Sequence, residues 1–191
     1  MSGGIIMSKG VRQLVFSAVA IALAMITSNI KLIHMPMGGS VTLLSMFFIT
    51  LIGYWYGIGG GLLAAVAYGM LQFVIGGYFL SLPQMLCDYP LAFGALGLSG
   101  LFRMKSESAG SFRMIAGYIL GVLGRYVFSI ISGVVFFASY AADAGFESPF
   151  VYSAAYNGAY LGLEALITVI VLLIPAVQKG IGSVTRLAIG E

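Results

Sequence analysis

The chain has 191 residues, 60% of them hydrophobic and only 8% charged, with a mean hydropathy of +1.05. A water-soluble domain carries about 25% charged residues, so an aqueous shell over this much apolar surface is excluded and the solvent is lipid. The single cysteine, Cys87, excludes an intrachain disulfide, and a net charge of +3 spread over scattered residues does not make a nucleic-acid surface.

A membrane-crossing helix needs roughly 20 residues. The length therefore holds six transmembrane helices and no sizeable soluble domain: an all-α membrane protein of one domain, residues 1–191, with 1–10 as a flexible leader. The first segment is Val11–Ile30; its apolar part could serve as a signal peptide, but it lacks a small-residue cleavage site and more apolar segments follow. The second is Val41–Tyr56 and the third Gly60–Ile75, separated by the glycines of Gly57–Gly61. Pro36 with Gly38 and Gly39 breaks the connection before the second, and Gly76–Gly77 closes the third. The fourth is Leu82–Phe102, followed by a polar connection, Met104–Gly110, holding Lys105, Ser106, Glu107 and Ser108. The fifth is long, Phe112–Tyr140, and the sixth is Tyr152–Val177, after a connection with Asp143, Gly145, Glu147 and Pro149.

Basic residues set the orientation. With both termini cytoplasmic, that side receives Lys9, Arg12, Arg103, Lys105, Arg113, Lys179 and Arg186, and the outside receives only Lys31.

Asp88, Arg125 and Glu164 lie inside apolar stretches. Each costs roughly 2.5–3.5 kcal/mol on insertion scales at the bilayer centre, so each faces protein or a wet cavity. Arg125 forms a candidate structural ion pair with Glu164, near mid-depth like itself, or with Asp88. Asp88 reads as functional, because Tyr89 is beside it and aromatics gather at similar depth: Tyr68, Tyr78, Phe137, Tyr140, Tyr152 and Tyr156. These rings form either the aromatic belt of any membrane protein or a box of ring faces with a carboxylate. Such a box suits a flat cationic or heteroaromatic ligand.

In the first segment, Ala18 with Ala22 and Ala20 with Ala24 recur at helical spacing. Small faces of this kind let another helix approach closely, inside the bundle or on a partner. No phosphate-binding glycine loop is present, so the chain cannot hydrolyse ATP alone. His34 is the only histidine, which disfavours a zinc site and a serine–histidine hydrolase; no enzyme activity and no cofactor are expected.

Several strings resemble one family. Met35-Pro36-Met37-Gly38-Gly39-Ser40-Val41-Thr42, Tyr68-Gly69-Met70-Leu71-Gln72, Gly76-Gly77-Tyr78, Asp88-Tyr89-Pro90, Gly124-Arg125-Tyr126, Ser132–Phe137, Ser139-Tyr140-Ala141 and Tyr152…Tyr156-Asn157-Gly158 follow in order along nearly the whole chain. The set is similar to the thiamine-specific S components of energy-coupling factor (ECF) vitamin transporters. That resemblance implies a six-helix S-component fold in the bacterial cell membrane, binding thiamine from outside. It implies partners too: a transmembrane coupling subunit and two ATPase subunits. By match, the ligand-binding residues are Asp88, Tyr89, Tyr68, Tyr78, Phe137, Tyr152 and Asn157, with Ser129 where relatives often carry histidine. Ala18 and Ala22 match the face that docks on the coupling subunit. The Ser129 departure keeps open another flat ligand, pyridoxine-like or hydroxymethylpyrimidine. A membrane assembly protein whose aromatics are belt residues is a third reading.

Overall fold

The computed structural model describes residues 8–104 and 111–190. The leader up to residue 7 and residues 105–110 of the expected polar connection lie outside the described residues.

Helix α1 runs Lys9–Ser28, opened by Ser8, whose hydroxyl accepts from the Val11 N–H at 3.4 Å. It ends where Thr27 and Asn29 turn their side chains back onto the carbonyls of Leu23 and Met25, both at 2.8 Å. The next connection is a β-hairpin that hydrophobic periodicity did not announce. Strand β1, Lys31–His34, pairs antiparallel with β2, Ser40–Thr42. Its turn closes through Met35 N–H to Gly39 O at 2.8 Å, with Met37 at φ 66° and Gly38 at φ 95°.

Helix α2, Ser45–Gly76, is folded back on itself near its middle. Gly57, at φ 82° and ψ −176°, takes a conformation that side chains avoid, and the chain reverses there. A Cβ at Gly61 would lie 2.8 Å from the Gly53 Cα, whereas eight residues of straight helix span about 12 Å. The arms 45–56 and 58–76 thus pack antiparallel, close to the two segments expected.

Helix α3, Leu82–Phe102, has the expected bounds. It is not uniform: an α-turn passes into a π-turn, Cys87–Leu91, and ends as 3-10 helix from Ala95. Pro90 inside the π-turn has no N–H to give, and the Ala92 N–H reaches Cys87 O, five residues back.

Helix α4, Ser111–Phe136, stops short of the expected Tyr140. Phe137 N–H makes the last i−4 bond, to Gly133 O at 3.2 Å. Tyr140 and Ala141 then bond i−3, and a short helix α5, Ser139–Asp143, follows. Helix α6, Pro149–Leu173, starts a turn earlier than expected, because Ser148 caps it and Pro149 suits its first position. It ends earlier too: Pro175 forces Ile174 to ψ 122°, and a separate helix α7, Pro175–Ile189, begins.

Among the described residues five helices, α1, α2, α3, α4 and α6, are long and apolar enough to cross a membrane. On α1 the two small-residue pairs part company: Ala20 and Ala24 are buried in the bundle, while Ala18 and Ala22 are exposed.

The expected ion pair between Arg125 and Glu164 is not formed. Glu164 is 2% exposed and serves as a clasp. Its Oε2 accepts from Thr42 N–H at 2.9 Å and Thr42 Oγ1 at 2.8 Å, and its Oε1 accepts from Ser45 Oγ at 3.3 Å. It therefore ties the end of the hairpin and the start of α2 to α6, with its charge beside a helix N-terminus. Arg125 takes another place, described below.

Candidate ligand-binding cavity

A cavity of about 550 Å³ lies at the bundle end formed by the hairpin turn, the loop after α2 and the start of α6. That size suits a small organic molecule. Helix α3 supplies Gln84 and Asp88 one turn apart, then Tyr89 and Phe93 one turn apart. The π-turn sets the angle between these pairs, a use to which such bulges are often put. Buried Gln84 is a hub: its Nε2 donates to an Asp88 carboxylate oxygen and to Tyr78 O, and its Oε1 accepts from Leu80 N–H at 2.9 Å. Tyr78 N–H donates to the Tyr89 hydroxyl at 2.7 Å, so the loop after α2 is fastened to α3 twice.

Helix α4 contributes a stripe at helical spacing: Arg125, Ser129, Ser132 with Gly133, then Phe137. The Arg125 guanidinium carbon sits 4.0 Å from the Phe93 ring centroid, a cation–π contact in place of the predicted salt bridge. Its Nε has no hydrogen-bond partner. Beyond it, Phe137 meets the Tyr78 ring at 6.1 Å and stacks on Tyr140 at 5.6 Å.

Helix α6 lines the remaining side with Tyr152, Ser153, Tyr156, Asn157 and Tyr160. Tyr152 and Tyr156 stack at 5.9 Å and 24°. Asn157 is buried and held: its Nδ2 donates to Ser153 O at 2.9 Å, and its Oδ1 accepts from the Tyr160 hydroxyl at 2.8 Å. The Tyr156 hydroxyl donates to Pro36 O and accepts from Gly39 N–H at 3.0 Å. It pins the hairpin turn across the mouth, where a Cβ at Gly39 would lie 2.9 Å from the Tyr156 hydroxyl and 2.9 Å from the Tyr160 ring.

Of the residues expected at a site, Asp88, Tyr89, Tyr78, Ser129, Phe137, Tyr152 and Asn157 line this cavity together. Tyr68 does not. It is wholly buried behind the wall, edge-on to Phe93 at 5.3 Å, accepting from Gln72 Nε2 at 2.6 Å and donating to Ala24 O. It supports a wall ring instead of presenting its own. Arg125, expected as half of a structural pair, belongs to the lining. Gln84, Phe93, Ser132 and Tyr160 line it too without being expected at the site, and Tyr140 and Tyr156 were expected only as outer aromatics and members of the family strings. Four-residue spacing from Asp88, Tyr89 and Tyr156 points to Gln84, Phe93 and Tyr160 respectively.

One carboxylate, one guanidinium and several ring faces therefore converge on a mostly apolar chamber, which can hold a flat, charged heterocycle. The description "thiamine transporter protein" belongs to the family that matches residues 14–181. This chain belongs to that family. Thiamine transporter ThiT of Bacillus subtilis is 34% identical over 176 residues, covering 86% of this chain and 90% of that protein. Thiamine transporter ThiT of Lacticaseibacillus paracasei is 31% identical over 121 residues, covering 57% of this chain and 59% of its own length. The solved structure of ThiT from Listeria monocytogenes superposes with a TM-score of 0.71 at 26% identity, covering 89% of this chain and 98% of that one. A thiamine transporter family member with these apolar helices is a multi-pass membrane protein of transport.

Proposed function

We propose that this chain captures thiamine at the outer face of the membrane, as the substrate-binding subunit of an ECF-type importer. The observation that carries the reading is the cavity itself, with Asp88 among the rings of Tyr78, Tyr89, Phe137 and Tyr152. Thiamine offers a permanent thiazolium charge for the carboxylate and two flat rings for the tyrosine faces. Its aminopyrimidine edge can pair with polar groups such as Ser129 and the amide of Asn157. Charge placement supports the orientation: Lys9, Arg12, Arg103, Arg113, Lys179 and Arg186 all belong to segments at the bundle end away from the cavity. With α2 doubled at Gly57, the chain crosses six times, both termini are cytoplasmic and the cavity opens outward.

Purified protein titrated with thiamine in a calorimeter gives saturable, one-site heat that pyrithiamine competes away; absence of both would end the ligand assignment. Ser129 favours a second reading, since a small hydroxyl in the wall leaves room for a differently substituted ring. A thermal-shift screen across thiamine, pyridoxine and hydroxymethylpyrimidine separates the two by which compound stabilises most.

The mouth also gives a kinetic expectation. Tyr156→Phe removes both hydrogen bonds to the hairpin turn, each worth about 0.5–1.5 kcal/mol. Affinity should fall by a factor of roughly 5 to 150, mostly through faster release in stopped-flow. An unchanged release rate would mean that the turn is not the gate.

Transport needs ATP, which this chain cannot hydrolyse alone. The coupling subunit and two ATPase subunits are accordingly proposed as partners. Ala18 and Ala22, exposed on α1 while their neighbours Ala20 and Ala24 are buried, offer the close-approach face. Ala18→Trp should leave thiamine binding intact and abolish uptake into cells. Surviving uptake would place the docking face elsewhere.

A further inference from the structure

Helix α7 has three faces instead of two. Val177, Ile181, Thr185 and Ala188 recur at intervals of three and four and turn toward the bundle, with Thr185 and Ala188 buried. Trp55 Nε1 donates to Thr185 Oγ1 at 3.0 Å, and the Tyr56 hydroxyl donates to Ala188 O at 3.2 Å, so this face is fixed. On one flank lie Ala176, Gly180, Val184 and Leu187, all exposed, with Leu187 at 62%. On the other lie Lys179, Ser183 and Arg186, also exposed, with Arg186 donating to Ser183 Oγ at 3.3 Å.

Neither bulk solvent suits this arrangement. In water the Val184–Leu187 flank would be needlessly wet, and in hydrocarbon Lys179 and Arg186 would be stranded. The polar–apolar boundary of a bilayer satisfies both flanks at once. Position agrees. Pro175 breaks the line of α6, and α7 then crosses the bundle end to reach Tyr56, beside the Gly57 reversal, and the N-terminal part of α1, where Arg12 lies against Gly190. Arg103 packs against Gly57 at the same end. Among the described residues α1 and α7 carry Lys9, Arg12, Lys179 and Arg186 and no acidic side chain.

We propose that α7 is an interfacial helix that docks anionic phospholipid. Lys179 and Arg186 hold the headgroup phosphates, and Val184 and Leu187 enter the acyl boundary. Charge complementarity selects the occupant: an exposed cationic flank beside an apolar flank matches a negatively charged lipid and not a zwitterionic one. This rests on the bundle being membrane-embedded and is independent of which ligand the cavity takes.

The full chain in nanodiscs of mixed phosphatidylcholine and phosphatidylglycerol should retain phosphatidylglycerol preferentially when released for native mass spectrometry. The preference should vanish in 0.5 M NaCl. In the double variant Lys179→Gln with Arg186→Gln, it should fall roughly 25-fold, since each of the two basic residues near an anionic surface strengthens attraction about fivefold. Thiamine binding should stay unchanged. Equal retention of the two lipids by the unaltered chain, or a preference that neither salt nor the double variant moves, overturns the proposal. Should the double variant fold poorly, nitroxides at Leu187→Cys and Lys179→Cys decide instead. The first should be relaxed by oxygen and the second by an aqueous nickel chelate; both relaxed by nickel overturns the interfacial placement. If the double variant kept its phosphatidylglycerol but no longer co-purified with ATPase-bearing partners, the surface would be a protein interface and the lipid assignment would fall.

Discussion

Asp88→Asn is expected to weaken thiamine binding by between ten- and a hundredfold. Among the described residues the cavity lining holds one carboxylate, Asp88, and one guanidinium, Arg125. Neutralising Asp88 leaves Arg125 as the sole charge facing a cationic ligand, so the substitution removes an attraction and exposes a repulsion. Two unit charges about 5 Å apart at an effective dielectric of about 20 interact by roughly 3 kcal/mol. Competition from water and from the Gln84 amide, which already donates to Asp88, reduces what the ligand gains. A loss of about 1.4–2.8 kcal/mol follows, one to two decades in Kd. Calorimetric titration of the variant measures it. An uncharged analogue with a neutral ring in place of the thiazolium should lose far less, because only the charge term has changed. Equal losses for both ligands would show that Asp88 acts through the shape of the loop it anchors. Unchanged affinity for thiamine would remove it from the site.

Glu164→Ala carries the largest expected cost in stability. Three donors converge on that carboxylate: Thr42 N–H, Thr42 Oγ1 and Ser45 Oγ. Hydrogen bonds to a charged group contribute about 1.5–3 kcal/mol each, but Thr42 Oγ1 and Ser45 Oγ lie 2.7 Å apart and can bond each other once the carboxylate is gone, which holds the loss below the sum of three. A loss of about 3–5 kcal/mol is expected, read as a lowered unfolding temperature in detergent. Glu164→Gln keeps the shape and one good acceptor, so it should fall between the alanine variant and the parent. Because the clasp reaches the hairpin that covers the mouth, thiamine affinity should drop in parallel with stability. An alanine variant as stable as the parent would show that Glu164 carries no such duty.

Much of the bundle was legible because lipid imposes a blunt rule: long apolar runs must be helices, with every backbone group satisfied internally. That rule placed α1 and α3 and the two arms of α2, and glycine and proline punctuation placed most breaks. It says little about where side chains meet. The hairpin β1–β2 was invisible because its strands are three and four residues long, too short for alternation to register. Arg125 and Glu164 looked like partners because each needs a counter-group at depth. Hydroxyls and an amide N–H served one and a ring face served the other, and periodicity does not rank such options. Tyr68 and Tyr78 illustrate the same limit, since both are tyrosines of the family strings. Helix rotation buries the first behind Phe93, and only the second, in a loop, reaches the cavity. The cavity lining itself was better forecast, because charged and aromatic residues stood out against an apolar background and the ordered family strings located them together.

The reversal at Gly57 bears on how the protein is made. Residues 45–56 form about 18 Å of helix at 1.5 Å per residue, well short of the roughly 30 Å of a hydrocarbon core. That arm cannot be threaded into the bilayer and left there alone while synthesis continues. It must be released from the insertion machinery together with 58–76, as a preformed pair. A valine at Gly57 should therefore betray itself first in newborn chains, as poor membrane integration, before any mature molecule exists in which binding could be measured.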